Sequence, residues 1–539
     1  MFRTGRNFSA IFKSIMVAIL ITYIPYILGR LYWFCPDDTL LNQIAEGSYG
    51  KDYSQFLIFE NIILGYFIKL CYMMFSGVNM YAIVMLFGVA MSFGVFYWVI
   101  IRKVNSKLIF PFVVAVHIFI LCHITYTLIA GISVCAGVVL LYETECRRRK
   151  LIEISDVISV AFVVLGSMIR IEGALIAIAL SVVLLFGQMK CKGKIGKSVF
   201  IVAIISMIGI GITTGINSLF YSAEPWSSQM ERLDYRMVDW NKIAYSEYNK
   251  EYDELSMTEN DVDCYYSWIF ADFDVFSVEN LRSIKKFAKI NTLYDFDILS
   301  LIKKMLTFKY NYLYVLVAAI LFTFCKKEER KKFSCIFIMA ELLFLALLIR
   351  QRPVLNAVLT IYVVSCVMML LYLEINRNRH GIIGICISMI VVGIVCGENV
   401  NVIKASQNNI KEQRYLNEFM ECHEDKLIVG SAGTLNTYLE NQKISLSTQA
   451  DKYLLQRLKV GTWDMGSARW YSQAEQYGLD PKKILLEIAE KESVYLLIGS
   501  DNEHNLIKTF LKEHTKVDII FDEVTALENG WRIYDVNKK

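Results

Sequence analysis

Two adjacent carboxylates, Asp37 and Asp38, follow Pro36 where the first apolar run of the chain ends in Trp33-Phe34-Cys35. Three arginines stand at comparable places. Arg170 lies in Met168-Ile169-Arg170-Ile171-Glu172-Gly173, and Arg350 and Arg352 share the short turn Arg350-Gln351-Arg352-Pro353 between two apolar runs. Charge at the edge of an apolar slab is costly unless it pairs or meets a ligand. A carboxylate there can take a proton from a hydroxyl, and guanidinium forks fit a phosphate with two contacts at once. The set describes a cavity with acids on one wall and arginines on another, suited to an anionic lipid phosphate and an acceptor hydroxyl. Plainer readings stand beside it. Asp37-Asp38 after Pro36 also suits the cap of a helix starting at Thr39. Arg350 and Arg352 could instead meet lipid headgroups or another part of the chain, and Arg170 and Glu172 could pair with their neighbours.

Other residues join as candidates. Glu60, in an apolar stretch with Asn61 and Lys69, and Glu172 are candidate substrate contacts. So are Asp261, Asp263, Tyr265 and Trp268, since aromatic faces and carboxylates are what a sugar site uses. The same composition serves a loop folded as a cap, the favoured reading for that stretch. Asp261 and Asp263 alternate like calcium ligands but lack the glycine and distal glutamate of an EF-hand loop. Glu341, mid-span, is the residue on which a transport function would turn. His117 and His123 have no partner at ligand spacing and read as packed side chains. Thirteen cysteines are scattered singly, with no CxxC and no disulfide framework.

The elements that must position these residues are mostly helices in a membrane. The chain has 539 residues, 55% apolar, with six prolines and a net charge of +4. Apolar runs of about 20 residues recur throughout, the mark of a polytopic α-helical membrane protein, and so small a net charge gives no footing for nucleic acid. The start (Arg3, Arg6, Lys13, then apolar from Ile15) ends in bulky residues with no cleavage site and reads as an uncleaved span. Basic clusters at Arg3/Arg6/Lys13, Arg102/Lys103/Lys107, Arg147–Lys150, Lys190/Lys192/Lys194/Lys197, Lys326–Lys332 and Arg377/Arg379 stay cytoplasmic. Even crossings between them give spans near 15–34, 81–101, 108–123, 124–142, 151–169, 173–189, 199–220, 309–325, 333–349, 354–373 and 381–397. That makes about eleven transmembrane helices, N-terminus in and C-terminus out. The hairpins 108–142 and 151–189 are tight for two crossings each. Residues 56–75 read as a helix lying along the outer interface, part of an outer loop from 35 to 80.

Two soluble pieces remain on the outer side. Residues 221–308 are acidic and aromatic. Residues 399–539 alternate helical stretches (Glu412–Glu421, Pro481–Glu490, Asn505–Lys512) with extended ones (Lys426–Val429, Val494–Ile498, Val517–Phe521), which predicts an extracytoplasmic α/β domain with a partly parallel sheet. The division is therefore 1–398, transmembrane, and 399–539, soluble.

A first span ending in an acidic pair, an outer loop with an interfacial helix, short central hairpins, the Arg170 turn, an arginine-bearing late outer loop and a soluble C-terminal domain together resemble the GT-C membrane glycosyltransferases. The resemblance covers residues 1–400 in layout and rests on few residues. It implies an enzyme of the plasma membrane, the inner membrane of a bacterium. Such an enzyme passes a sugar from a polyprenyl-phosphate donor to a polysaccharide or glycolipid acceptor of the cell envelope. It implies Asp37 or Asp38 as catalytic base, and Arg350 and Arg352, with Arg170 as helper, as the holders of the donor phosphate. Metal use stays open, because that family includes members with a divalent metal at the acidic site and members without. Two other readings stay open too: a glycolipid or polysaccharide transporter or flippase centred on Glu341, and a non-catalytic envelope-assembly protein acting through 399–539.

Overall fold

The computed structural model describes residues 2–48, 52–104, 109–148, 150–192, 196–236, 244–292, 298–350, 353–373, 380–448 and 453–539. Lys107, Arg149, Lys194, Arg377 and Arg379 of the basic clusters, and Arg352 of the expected site, lie outside the described residues.

Helices fill the chain up to residue 421. In order they are α1 (Phe2–Ile27), α2 (Pro36–Ala45), α3 (Ile62–Met74), α4 (Met80–Val104), α5 (Phe110–Cys122), α6 (Tyr126–Arg147), α7 (Ile154–Ile169), α8 (Ile171–Lys192) and α9 (Lys197–Tyr221). There follow α10 (Trp226–Arg236), α11 (Asn249–Glu254), α12 (Glu259–Tyr266), α13 (Val278–Thr292), α14 (Ile298–Thr307), α15 (Lys309–Thr323), α16 (Arg330–Ile349), α17 (Leu355–Leu370) and α18 (His380–Glu421). Each of the eleven expected spans coincides with one of these helices, but length divides them. Among the described residues, five stretches (Ser9–Ile27, Met80–Arg102, Tyr126–Arg147, Lys197–Tyr221 and Lys327–Ile349) are long and apolar enough to cross a membrane. The helices α3, α5, α7, α17 and the apolar part of α8, Ile171–Leu185, have 10–17 residues. At 1.5 Å per residue they fall short of a slab about 30 Å thick.

Two helices depart from the reading of the sequence. Residues up to 308 were expected in a loop, yet Leu299–Thr307 is helical and meets Lys309–Thr323 at a bend of 74°. The expected span 381–397 and the expected helix 412–421 are one 42-residue helix, α18: no proline separates the two periodic stretches, and Gly397 before Glu398 does not end the helix.

The hub is α6. Every residue from Tyr126 to Thr144 is buried, and α4, α7, α8 and α17 all pack on it. Close approach of α8 needs Gly173, where an added Cβ would stand 2.4 Å from the Thr127 carbonyl oxygen. That contact sets the Arg170–Glu172 turn beside the start of α6.

After α18 the chain forms β1 (Leu427–Ser431), α19 (Ala432–Leu435), β2 (Arg457–Val460), α20 (Ala468–Gln476), α21 (Ile484–Glu487), β3 (Val494–Ile498), α22 (Asp501–Thr515), β4 (Ile519–Ala526) and β5 (Arg532–Lys538). The sheet order is β2-β1-β3-β5-β4. The pairs β1–β2 and β1–β3 are parallel; β3–β5 and β4–β5 are antiparallel. Strands β1 and β3 are apolar throughout because both faces are covered. One face (Ile428, Leu497, Ile533) takes Leu416 and Met420 from the end of α18. The other (Leu427, Val429, Leu458, Leu496, Val536) shares a core with Tyr252, Val262, Tyr265, Phe270, Phe276 and Ile284. Residues 245–287 and the sheet, from pieces read as separate, therefore form one packed unit: the sheet's apolar face needs a cover, and the aromatics of 245–284 supply it.

Candidate functional site

The site is built from three segments around the start of α6. The first is the α2 entry. Pro36 opens the helix with a preset φ, placing Asp37 and Asp38 in its first turn. Asp38 is fully buried, and its Oδ1 accepts the Tyr126 N–H at 2.7 Å. The carboxyl is thus fastened to the amino end of the most buried helix, where backbone N–H groups lack helical partners. Its Oδ2 is buried without a hydrogen-bond partner. Burial pushes the Asp38 carboxyl well above the usual carboxylate range, and the Tyr126 N–H pulls the other way. Asp37 is half-buried, and its Oδ1 accepts the Trp463 indole N–H at 2.9 Å.

The second segment is Phe59-Glu60-Asn61. Asn61 caps α3 through its side chain and donates its N–H to the Met168 carbonyl at 2.8 Å, tying the segment to the Arg170 turn. Glu60 is 2% exposed and accepts the Tyr81 hydroxyl at 2.6 Å. Burial pushes its carboxyl up to about 8, against the opposing pull of the Tyr81 hydroxyl and the Arg170 charge. The third segment is the α7–α8 turn. The Arg170 guanidinium lies 4.5 Å from the centre of the Phe59 ring and 5.3 Å from that of Tyr126. Its Nε pairs with the exposed Glu172 at 2.7 Å. Arg170 and Asp38 touch the same residue, Tyr126, which brings the buried acid and this arginine together around one side chain.

Arg350 is exposed at the end of α16. Six residues later, Asn356 in the first turn of α17 hydrogen-bonds the Cys35 side chain, so Arg350 stands within about 20 Å of chain reach from the α2 entry. The remaining candidates lie in the soluble unit. Asp261 is fully buried, closes a capping box with Thr258 at the start of α12 and bonds His514 Nε2 at 2.7 Å. Its hydrogen bond pushes the His514 imidazole above its ordinary range. Tyr265 belongs to the shared core and stacks on Phe276; Asp263 is exposed. Trp268 is exposed, with φ of 58°, and its carbonyl abuts Gly461. Asp261, Glu513 and His514 place one potential ligand atom each within 4.8 Å of one another. Two of them already bond one another, and Glu513 accepts the Thr258 hydroxyl at 2.8 Å, which accounts for the cluster as a tie between α12 and α22.

Sequence reasoning missed Tyr81, Tyr126 and Trp463. Tyr81 and Tyr126 follow the loop boundaries by a single residue, a weak signal. Trp463 carried none, since it comes from the far end of the chain. The soluble unit is held there by a strap. Residues 442–447 make β-bridges to the first loop, Tyr32 with Lys443 and Val78 with Ser447, and Leu439 accepts the Thr39 hydroxyl at 2.8 Å. An apolar cavity of about 70 Å³, open to its surroundings, lies among α5, α15 and α17, lined by Phe119, Tyr310, Tyr314, Leu359 and Tyr362.

No family model and no curated protein matches the chain. Among solved structures, ArnT from Cupriavidus metallidurans in the apo state is similar over 99% of this chain and 98% of that one, at 11% identity and a TM-score of 0.38. None of the assignments below is built on that likeness.

Proposed function

We propose that the chain is a membrane glycosyltransferase that moves a sugar from a polyprenyl-phosphate carrier to a cell-envelope acceptor at the outer face of the membrane. The observation that supports this is a grouping around Phe59 and Tyr126, which we read as one chamber: Arg170 lies over both rings, and the half-buried Asp37 is bonded by Trp463, whose ring also meets Phe59. Asp37 takes the proton of the acceptor hydroxyl. The acceptor oxygen forms its bond to the anomeric carbon as the bond from that carbon to the phosphate oxygen breaks. The charge growing on the departing polyprenyl phosphate meets Arg170, with Arg350 and Arg352 as further holders. Burial shifts the Asp38 and Glu60 carboxyls upward, and the half-buried Asp37 is the carboxylate we assign to proton transfer. Whether a divalent metal takes part at Asp37 is not needed for these steps.

The test is transfer itself. Membranes containing the chain, given polyprenyl-phosphate sugars labelled in the sugar, should move label to a larger acceptor, and Arg170→Gln should cut that by about tenfold or more, since one charged contact to a developing anion commonly contributes at least 1.4 kcal/mol. Equal transfer by the variant would remove Arg170 from the chemistry.

A second reading, movement of a glycolipid across the membrane, has one observation in its favour. Glu341 Oε1 is buried in α16 without a hydrogen-bond partner, near Tyr314 and Tyr362, which line the apolar cavity. Under that reading Glu341→Gln abolishes movement while Asp37→Asn is tolerated.

A further inference from the structure

The soluble unit reaches the acids with one aromatic side chain. Strand β2 ends at Val460; the next residue, Gly461, has φ of +84°, and an added Cβ there would stand 1.8 Å from the Trp268 carbonyl oxygen. Only glycine permits both the left-handed backbone and that close approach. Two residues on, Trp463 turns toward the first loop and donates its Nε1–H to Asp37 Oδ1 at 2.9 Å. Its ring lies 4.8 Å from Phe59, its carbonyl accepts Gln229 Nε2 at 3.0 Å, and 8% of it is exposed. The cavity behind it, bounded by Gln229, Arg232, Leu233 and Met465, measures about 10 Å³, room for one water at most. The indole therefore cannot withdraw from Asp37 unless the soluble unit moves with it.

We propose that Trp463 is a positioning residue for the base: its N–H fixes the Asp37 carboxylate, so that the soluble unit governs the reaction through the placement of one indole. The inference rests on Asp37 being the base, as above. A donated N–H favours the carboxylate over the acid, so its loss raises the pH at which the base becomes active. The titratable groups facing Asp37 are Cys35 and Asp38 at the α2 entry and Tyr126 on α6. Glu60 and Arg170 lie beyond them, and Asp464 follows Trp463 on the soluble unit.

Two measurements on the full-length protein in detergent test this. The chain has eight tryptophans, and ¹⁵N-labelled indoles, with Trp463→Phe to assign the signal, report the contact. The Trp463 N–H resonance should move as the pH is varied, and Asp37→Asn should abolish that movement. In the transfer assay with a labelled polyprenyl-phosphate sugar, Trp463→Phe keeps the ring and loses the donor. The acid limb of its pH–rate profile should move up by about half to one unit, whereas a merely structural role would lower the rate at every pH alike. A resonance indifferent to pH and to Asp37, or an unmoved acid limb in a variant whose Asp37→Asn counterpart is inactive, would overturn the inference. Full activity of Asp37→Asn would instead defeat the reading of Asp37 as base, and this inference with it.

Discussion

Asp37 and Asp38 are adjacent in sequence, yet their surroundings give them different work. Asp38 is sealed against the start of α6 by the Tyr126 N–H, so it holds structure. Asp37 meets the chamber and an indole from another domain. Glu60 is the third carboxyl of the group, with burial raising it to about 8. A carboxyl whose folded value is raised contributes stability that is complete below its unfolded value, about 4.3, and lost as pH climbs through the folded one. Glu60 should therefore favour folding less and less between about pH 4.5 and 8. Glu60→Gln keeps the shape and removes the ionisation. Its melting temperature in detergent should fall less than that of the parent across that interval. Equal falls would mean that Glu60 does not titrate there.

At the scale of elements, the helices and the alternation of strand and helix were legible. Apolar runs marked the spans, and extended stretches at 426–429 and 494–498 alternating with helical ones pointed to the partly parallel sheet in which β1 and β3 lie. Strand β2 was not legible. Its Arg457 and Lys459 argue against a buried strand, and it is buried because Gln473 Nε2 and the Trp470 indole satisfy the Arg457 and Lys459 carbonyls along its outer edge. Strand β5 hid behind its polar residues in the same way. Of the site, Asp37, Asp38, Glu60 and Arg170 could be named from charge at the ends of apolar runs. Trp463 could not, because only the fold brings a residue more than 400 positions away to Asp37. The turn that does so depends on Gly461. Gly461→Ala should destabilise the protein by about 1–3 kcal/mol through left-handed strain and the clash with Trp268, and should lower transfer more than stability alone explains. A variant with parental melting temperature and rate would show that the turn relaxes freely.

At the scale of the whole molecule, the acidic and aromatic insertion, the sheet and the end of α18 make one unit, strapped by residues 442–447 to the loop that bears the acids. On the charge rule we propose that this unit lies outside the membrane. Cys422 is exposed on it, so a membrane-impermeant maleimide added to intact cells should label the protein, and Cys422→Ala should lose that label. Labelling of Cys422 only after the membrane is opened would reverse the orientation and move the chamber to the cytoplasmic side.

The central claim is that Asp37 is the base of a sugar transfer and Asp38 the residue that fixes its surroundings. Transfer of labelled sugar from a polyprenyl-phosphate donor, measured in membranes carrying Asp37→Asn with Asp38 intact, tests it most directly. The account predicts that the variant folds with the parental melting temperature and loses transfer by about a hundredfold or more. Parental transfer by that variant would contradict it.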